Sequence, residues 1–595
     1  MCGIVAYIGF QPAAPIIYKC LGKLEYRGYD SCGIAISNRD NITVEKDTKR
    51  VAALQFNTLP LDGKIGLGHT RWATCGEPSR ANAHPHVDCL HKIAVVHNGN
   101  IENFEELRKA LVGEGHIFTS ETDTEVLPHL IEKYYEGELG QAVTRAIKDI
   151  RGSFAIAVIC AGEEKVVLAK QKSPLVIGLI DKEYIAASDI AALLDYTDRV
   201  MYLEEGDVCN ITTVGIELYR NGVLTELTEE RIAWKPADTR LGGFSHYMMK
   251  EINEQPRVIT ETLAAFEGVS EKLIGLLDPP ENRRTSLLMV GCGTSYHSAL
   301  VGKYIFEELI GRPVNVELAS ELNYRANVIA DKVALAISQS GETADTLQAV
   351  RRIKATGCKM VCITNVEGSQ LSRLADLSIY TKAGPEISVA STKTFIAQVA
   401  LLYAICISHA NIDEILKKDL ERGLGQIPIL IRQFLNEQSN IETLGRYLAT
   451  FNNVLFVARG INYPVALEGA LKLKETSYIH GEGYAAGELK HGPFALLDSN
   501  TPAIAIVAHD RTYEAMLTNI REIKTRKAPV IAVVEEGDKE VADLVDIVIE
   551  VPHTDPFFSP MLNVVALQLL AYYTALERGC PIDFPRNLAK TVTVE

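Results

Sequence analysis

One long stretch of this chain occurs twice. Leu288-Met289-Val290-Gly291-Cys292-Gly293-Thr294-Ser295-Tyr296 returns as Leu455-Phe456-Val457-Ala458-Arg459-Gly460-Ile461-Asn462-Tyr463, and Ala299-Leu300-Val301-Gly302 returns as Ala466-Leu467-Glu468-Gly469. The correspondence runs on through 321–322 and 488–489, 334–337 and 503–506, and 376–379 and 546–549. An echo this long requires two copies of one domain in tandem. Within each copy, short apolar runs (333–337, 360–363, 530–534) alternate with helical patterns. Runs apolar throughout suit strands buried on both faces, so each copy is expected to be an α/β domain with a doubly wound parallel sheet. Ligands of such sheets bind beyond the carboxyl ends of the strands, which directs attention to the loops after Val290, Ile337 and Val457.

The loop after Ile337 reads Ser338-Gln339-Ser340-Gly341-Glu342-Thr343, and a helical pattern over 344–353 follows at once. Three hydroxyls and a glycine at a helix N-terminus form a ready phosphate site, although a plain N-cap uses the same residue types. In the second copy the equivalent loop, Val507-Ala508-His509-Asp510-Arg511, lacks the hydroxyls, so one copy is expected to hold phosphate and the other not. Gly291 and Gly293 suggest a dinucleotide fingerprint, but Tyr296 stands at the third glycine position and excludes it.

At 595 residues the chain is too long for one core, and residues 1 to about 240 do not share the repeat. Their strand-like runs, 93–96 and 154–159, point to a mixed α+β domain. A net charge of −16 without a basic block argues against nucleic acid as a partner. The twelve cysteines are scattered without a C-x-x-C pair, the pattern of a reduced compartment. No basic leader precedes the first apolar run, and 399–407 is far shorter than the ~20 residues of a membrane helix, so a cytoplasmic protein without a membrane partner is expected.

Cys2 follows Met1 directly. Removal of Met1 would give one residue a thiol nucleophile and an α-amine that titrates near ~8 and can serve as its base. The alternative is a small apolar residue opening a buried strand. Downstream lie His69-Thr70-Arg71-Trp72-Ala73-Thr74, His97-Asn98-Gly99-Asn100 and Ser120-Glu121-Thr122-Asp123-Thr124. Singly, Asn98-Gly99 reads as a hairpin turn and the last run as a capping box. With Cys2 they compose an amidohydrolase site: Asn98 and the Gly99 N–H for an oxyanion, Arg71 for a carboxylate and Asp123 for an ammonium. His84-x-His86-x-x-Cys89-x-His91 offers zinc-type ligands, but its spacing favours ordinary loop residues, and no metal is expected.

These stretches carry a resemblance. Cys2-Gly3-Ile4-Val5, Glu25-Tyr26-Arg27-Gly28-Tyr29-Asp30-Ser31, the runs at 69–74 and 338–343, Glu488-Leu489-Lys490-His491-Gly492-Pro493 and Pro585-Arg586-Asn587-Leu588-Ala589-Lys590 make the chain similar, end to end, to the isomerising glutamine:fructose-6-phosphate aminotransferases. The resemblance implies an N-terminal-nucleophile glutaminase with an αββα sandwich over 2–240, a linker over 241–270, sugar isomerase (SIS) domains over 271–425 and 440–580, and a tail over 581–595. It implies that Lys590 forms a Schiff base with open-chain fructose 6-phosphate, that Glu475 moves the proton between sugar carbons assisted by Lys472, and that His491 opens the sugar ring from the neighbouring subunit of a homodimer. Sugar-phosphate contacts fall to Thr294, Ser295, Ser338, Gln339, Ser340, Thr343, Val389 and Ser391, and glutamine contacts to Arg71, Trp72, Thr74, His84, Gly99 and Asp123, with Trp72 gating ammonia. Cys75 stands where relatives often carry histidine. Ammonia is the amine source and lysine the carbonyl carrier, so neither pyridoxal phosphate nor a metal is implied. The acidic pair with a Gly-Thr-Thr loop that phosphoribosyl transfer would need, and the Ser-Gly-Gly-x-Asp-Ser loop of asparagine synthesis, are both missing from the sequence. A sugar-phosphate sensor would have no need of Cys2, Glu475 and Lys590.

Overall fold

A computed structural model describes residues 2–54, 60, 62–226, 228–277, 286–327, 333–437 and 440–593. The chain divides into two compact units, one of Met1–Arg240 with Glu342–Ala344 and Ala589–Glu595, the other of Leu241–Gly341 and Asp345–Leu588.

The first unit is built on an eight-stranded and a seven-stranded sheet. Gly3–Ile8 lies inside the larger sheet, antiparallel to Ile65–Arg71 and Glu183–Ala187, and is buried along its whole length. Ile93–Ile101 and Gly152–Cys160 pair in the other, next to its short edge strand His86–Val87. Alternate residues decide the layers, because successive side chains of a strand point to opposite faces. Ile4, Ala6, Ile8 and Leu67 share one core with Ala94, Val96, Ala155 and Ala157. Val95, Ile156 and Val158 face the other way and pack with Leu127, Leu130, Leu139 and Val143 of the helices Val126–Tyr134 and Leu139–Ala146. The helix Ala13–Gly22 covers the outer face of the larger sheet, with Ile17 and Leu21 pressed against Gly68. The result is the helix–sheet–sheet–helix sandwich expected for residues 2–240.

In the second unit two five-stranded parallel sheets share one strand order. The first runs Val314–Leu318, Leu287–Gly291, Val333–Ser338, Lys359–Thr364, Leu377–Tyr380; the second runs His480–Ala485, Asn453–Ala458, Ala503–Ile506, Val530–Glu535, Ile547–Val551. The second strand in sequence lies at the edge in both, so the order in which strands are added reverses beside the first strand, and the ligand crevice of a doubly wound sheet opens there. The segment 241–270, expected as a linker, holds the helix Tyr247–Glu267. Asp583 caps it by accepting from the N–H groups of Tyr247 and Met248, each at 2.9 Å, and Met248, Ile252 and Ile259 join the main core of the unit. The helix Pro556–Glu577 is long and apolar enough to cross a membrane, a longer such stretch than 399–407, yet it is 89% buried and serves as a core helix.

Candidate active sites

Cys2 sits immediately before the strand Gly3–Ile8, half-buried. The Trp72 N–H donates to its Sγ at 3.4 Å. Burial raises the thiol above its ordinary pKa, while the Trp72 N–H and Arg71 pull the other way by stabilising the thiolate. The Cys2 carbonyl accepts from Asn98 Nδ2 at 2.8 Å and from Arg27 Nε at 3.3 Å, and Arg27 is itself held by Asp189 at 3.0 Å. Asp30 fixes the 71–74 loop: its N–H donates to the Arg71 carbonyl at 2.9 Å and its carboxylate accepts from the Ala73 N–H at 2.8 Å.

Asn98 and Gly99 do not form a hairpin turn. Both lie within the strand Ile93–Ile101, opposite Ala155 and Phe154. Gly99 has φ +139°, and a Cβ there would stand 2.0 Å from the Ser153 carbonyl oxygen, so no other residue fits. The Asn98 amide is fixed by Cys2 on its nitrogen side, while its Oδ1 is buried without a hydrogen-bond partner. Asp123 opens the short helix Asp123–Glu125 and accepts from the Ile101 N–H at 2.9 Å. Thr122 makes no cap. Instead Glu125 reaches back and accepts from Thr119 and Ser120, main chain and hydroxyls, at 2.7–2.8 Å. Arg71 is buried, and its guanidinium donates to the carbonyls of Cys75, Gly76 and Glu77, folding the 73–77 loop over itself. Thr74 is exposed on that loop and Trp72 half-exposed.

Beneath this site lie four buried imidazoles, His69, His84, His86 and His97. His69 stacks on His84 with ring centres 4.0 Å apart, and His86 meets His84 edge-on at 4.8 Å. His69 contacts the His97 carbonyl at 2.9 Å, His84 Nδ1 accepts from the His97 N–H at 3.4 Å, His97 reaches Thr124 Oγ1 at 2.8 Å, and His86 reaches Thr122 Oγ1 at 3.0 Å. Burial pushes all four pKa values down, His69 to about 3, and keeps the rings neutral. His84, expected at the glutamine, thus belongs to a packed stack that supports the strand carrying Asn98 and Gly99.

The second unit gathers its chemistry on two helices. The helix Gly293–Leu309 follows the first strand of copy one, and Tyr463–Ser477 follows that of copy two. Glu468, Lys472 and Glu475 repeat at i, i+4 and i+7 and share a face. Lys472 Nζ lies 3.4 Å from Glu468 and 2.7 Å from Glu475. Glu468 also accepts from Thr294 Oγ1 at 3.0 Å and meets His297 Nδ1 at 2.7 Å, and Lys472 donates to Thr294 at 3.2 Å. Burial opposes the Lys472 ammonium, but Glu468 and Glu475 outweigh it and the pKa is raised. Burial likewise opposes the Glu468 carboxylate, yet Lys472 and His297 draw its pKa down. Glu475 Oε2 faces Lys472 as a charge but makes no aligned hydrogen bond, leaving a carboxylate oxygen with a lone pair to use.

The 338–343 loop crowns the strand Val333–Ser338. Gly341 has φ +67° and donates to Ser338 Oγ at 3.1 Å; a Cβ there would collide with Ser369. The Gln339 carbonyl is tied to the Asn365 N–H at 3.0 Å. The neighbouring 386–394 loop, which bears Val389 and Ser391, is clamped by two carboxylates: Glu386 accepts from Thr392 and Thr394, and Glu251 from Ile387 and Ser388. Arg586 anchors the tail, donating its N–H to Tyr478 Oη at 2.7 Å and stacking on that ring at 4.2 Å. Lys590 follows four residues on, half-buried, and the carbonyl of Val592 accepts from the Ala344 N–H at 3.0 Å.

Comparison with known proteins agrees with both halves. The glutamine amidotransferase domain matches residues 55–229, and the SIS domain matches 282–408 and 447–578. The chain is 46% identical over 620 aligned residues to a Methanosarcina acetivorans protein and 44% identical over 600 to one from Aquifex aeolicus, both named glutamine–fructose-6-phosphate aminotransferase (isomerizing), covering all of each chain. The chain belongs to the isomerising glutamine–fructose-6-phosphate aminotransferase family. A solved C-terminal domain of glucosamine-fructose-6-phosphate aminotransferase from Francisella tularensis is 37% identical with a TM-score of 0.54, covering 57% of this chain and 99% of that one.

Two residues expected at the sugar phosphate are already engaged in this aminotransferase fold. Thr294 joins the Glu468–Lys472 pair, and Ser295 is buried with its Oγ accepting from Gln398 at 3.1 Å. His491 ends the short helix Ala486–His491 and is exposed. Glu468, His297, Glu386 and Glu251 were not among the expected site residues. The signal for Glu468 and His297 was available: Glu468 falls one helical turn before Lys472. For Glu251 the sequence carries no local cue, because its partners are backbone groups far along the chain, whereas Glu386 closes a loop on Thr392 and Thr394 only six and eight residues away.

Proposed function

We propose that this chain transfers the amide nitrogen of glutamine to fructose 6-phosphate and isomerises the product, giving glucosamine 6-phosphate and glutamate. The observation that carries it is that one chain, matched along its whole length by this family, has Cys2 with its thiol on the Trp72 N–H and its carbonyl on Asn98, and Glu475 beside Lys472.

In this reading the Cys2 α-amine, freed by loss of Met1, takes the thiol proton, and the thiolate attacks the glutamine amide carbon. Asn98 and the Gly99 N–H stabilise the oxyanion, worth ~3–4 kcal/mol for each donor. The C–N bond breaks to give ammonia and a γ-glutamyl thioester, which water hydrolyses to glutamate. Arg71 and Asp123 hold the amino-acid end of glutamine, with Trp72 and Thr74 lining it and His84 backing the site from the buried stack. Ammonia released into bulk water would be protonated and lost as a nucleophile, so its shielding is required for coupling.

The 338–343 loop, with Val389 and Ser391, holds the phosphate. His491 opens the ring, Lys590 condenses with the C2 carbonyl with loss of water, and ammonia displaces the lysine to leave a C2 imine. Glu475 then moves a proton from C1 to C2, and hydrolysis is not needed because the aldehyde forms at C1. Lys472 Nζ, 2.7 Å from Glu475, holds that carboxyl in place for the transfer. The exposure of His491 supports its delivery to a second copy in a homodimer, and the twelve free cysteines support a cytoplasmic location. The domain limits we propose are those of the sequence, 2–240, 271–425 and 440–580.

The test is an assay of purified protein with glutamine alone and with fructose 6-phosphate added. The sugar should stimulate glutamate release and yield glucosamine 6-phosphate; ligand binding without glutamate release would indicate a sensor instead. Borohydride should trap the sugar on Lys590, and an adduct elsewhere would remove that assignment. A Lys590→Ala chain mixed with a His491→Asn chain should regain activity if the histidine serves the partner's site.

A further inference from the structure

The local run His84-x-His86-x-x-Cys89-x-His91 does not come together. His84 and His86 enter the buried stack, and His91 turns outward at φ +53°. Cys89 instead meets three residues distant in sequence. Its Sγ lies 3.5 Å from His129 Nδ1 and 3.7 Å from His116 Nδ1; Glu132 Oε2 lies 3.0 Å from His116 Nδ1 and 3.5 Å from His129 Nδ1. All four donor atoms fall within 4.8 Å of one another.

We propose that Cys89, His116, His129 and Glu132 bind a zinc ion in the glutaminase half. With zinc–sulfur bonds near 2.3 Å and zinc–nitrogen and zinc–oxygen bonds near 2.0–2.2 Å, the edges of a tetrahedral site are about 3.4–3.6 Å; the two Cys89–histidine separations, 3.5 and 3.7 Å, and that of Glu132 from His129, 3.5 Å, lie close to this, and only small side-chain shifts would widen the 3.0 Å between Glu132 and His116. Both imidazoles turn the same atom, Nδ1, to the common point, which a hydrogen-bonded pair of histidines would not require. Thiolate, carboxylate and two neutral imidazoles balance the charge of a divalent ion in this half-buried place, and the sulfur selects zinc over magnesium or calcium. The Ile117 N–H donates to Cys89 Sγ at 3.4 Å, stabilising a thiolate.

The ligands come from three segments: the turn after the strand His86–Val87, the loop after the helix Phe104–Gly113, and one face of the helix Val126–Tyr134, where His129 and Glu132 stand at i and i+3. That helix follows directly on Asp123–Glu125. The ion is therefore a staple that holds the supports of Asp123 and His86 and touches no substrate.

The full-length protein, purified without added metal, should contain one equivalent of zinc by elemental analysis. Removing it with a chelator should lower the first thermal midpoint by more than ~2–4 °C, restored by one equivalent of zinc. Cobalt added to the stripped protein should give visible tetrahedral bands and a sulfur-to-cobalt charge-transfer band. Cys89→Ser should lose the charge-transfer band, and His116→Gln, at a partly exposed position that spares the fold, should weaken zinc affinity ~10-fold or more. Failure to retain stoichiometric metal, no cobalt charge transfer and no zinc-dependent midpoint would overturn the proposal. Retention of the charge-transfer band in Cys89→Ser would overturn it as well.

Discussion

In the first SIS copy the strand Val333–Ser338 runs into hydroxyls and a positive-φ glycine, whereas the matching strand of the second, Ala503–Ile506, runs into Val507-Ala508-His509-Asp510-Arg511. There Asp510 stands two residues before the helix cap Thr512 and accepts from the Thr512 N–H at 2.7 Å, so an acidic side chain sits where a phosphate would need donors. The helices after the first strands differ in the opposite sense. Copy one offers Thr294 and His297, and copy two offers Glu468, Lys472 and Glu475. On the proposed function, two domains with one strand order would divide the work: one would grip the anion and the other move protons. A duplicated scaffold allows this because the sheet fixes where loops and helix starts emerge, while their side chains are free to change.

Glu475→Gln tests the proton-moving copy most directly. Amino-sugar formation should fall ~10²- to 10⁴-fold while glutamate release persists; equal loss of both activities would deny the division. Next in size is Glu468→Gln. The change leaves Lys472 with Glu475 alone and weakens the acceptor of Thr294 and His297, and should cost about 1–3 kcal/mol in chemical denaturation of the second unit. A change near zero would mean that Lys472 is not held by Glu468. Ser340→Ala, in the anion-gripping copy, should raise the KM for fructose 6-phosphate about tenfold with kcat little altered, and Thr512→Ala in the other copy should leave KM unchanged. Equal effects would break the comparison.

The contrast extends to the glutaminase half, whose four stacked and buried histidines are held neutral where the second unit buries Lys472 charged. The unfolded chain protonates His69 near 6.5, but the native ring resists until about 3, so acid favours unfolding across that window. Each such histidine should remove up to about 1.4 kcal/mol per pH unit below 6.5. Glu468, whose native pKa lies below its ordinary 4.5, contributes stability above that value and loses it only in stronger acid. Lys472, raised, contributes at neutral pH and loses it only on the alkaline side. Two thermal transitions followed from pH 7 to 4.5 should therefore move apart, the glutaminase transition falling first. Transitions that fall together would show that the buried imidazoles are not the acid-sensitive element.

Local pattern made much of this legible. The apolar runs at 333–337, 360–363 and 530–534 fall inside observed strands, and the hydroxyl loop precedes the helix Ala344–Ala355 as its pattern requires. Asn98-Gly99 shows the limit. The dipeptide fits a turn by residue type, but flanking apolar pairing with Gly152–Cys160 holds it in a strand, where the positive φ of Gly99 is accommodated by the adjacent Ser153 carbonyl. The histidine–cysteine run shows it again: neighbours in sequence separate into two clusters because a strand and its turn send side chains in different directions.

By itself the sequence determined the duplicated parallel domains and the mixed α+β half in front of them, and it singled out Cys2 and the hydroxyl loop at 338–343 as candidates, because these follow from periodicity, residue chemistry and short-range order. Only the tertiary structure decided that Glu251 clamps the 386–394 loop, that Glu468 joins Thr294 and His297 to Lys472, and that Cys89 meets His116, His129 and Glu132. Those groupings join residues remote along the chain, and burial removes competing water, so their charge states and partners are set by packing that no local pattern encodes.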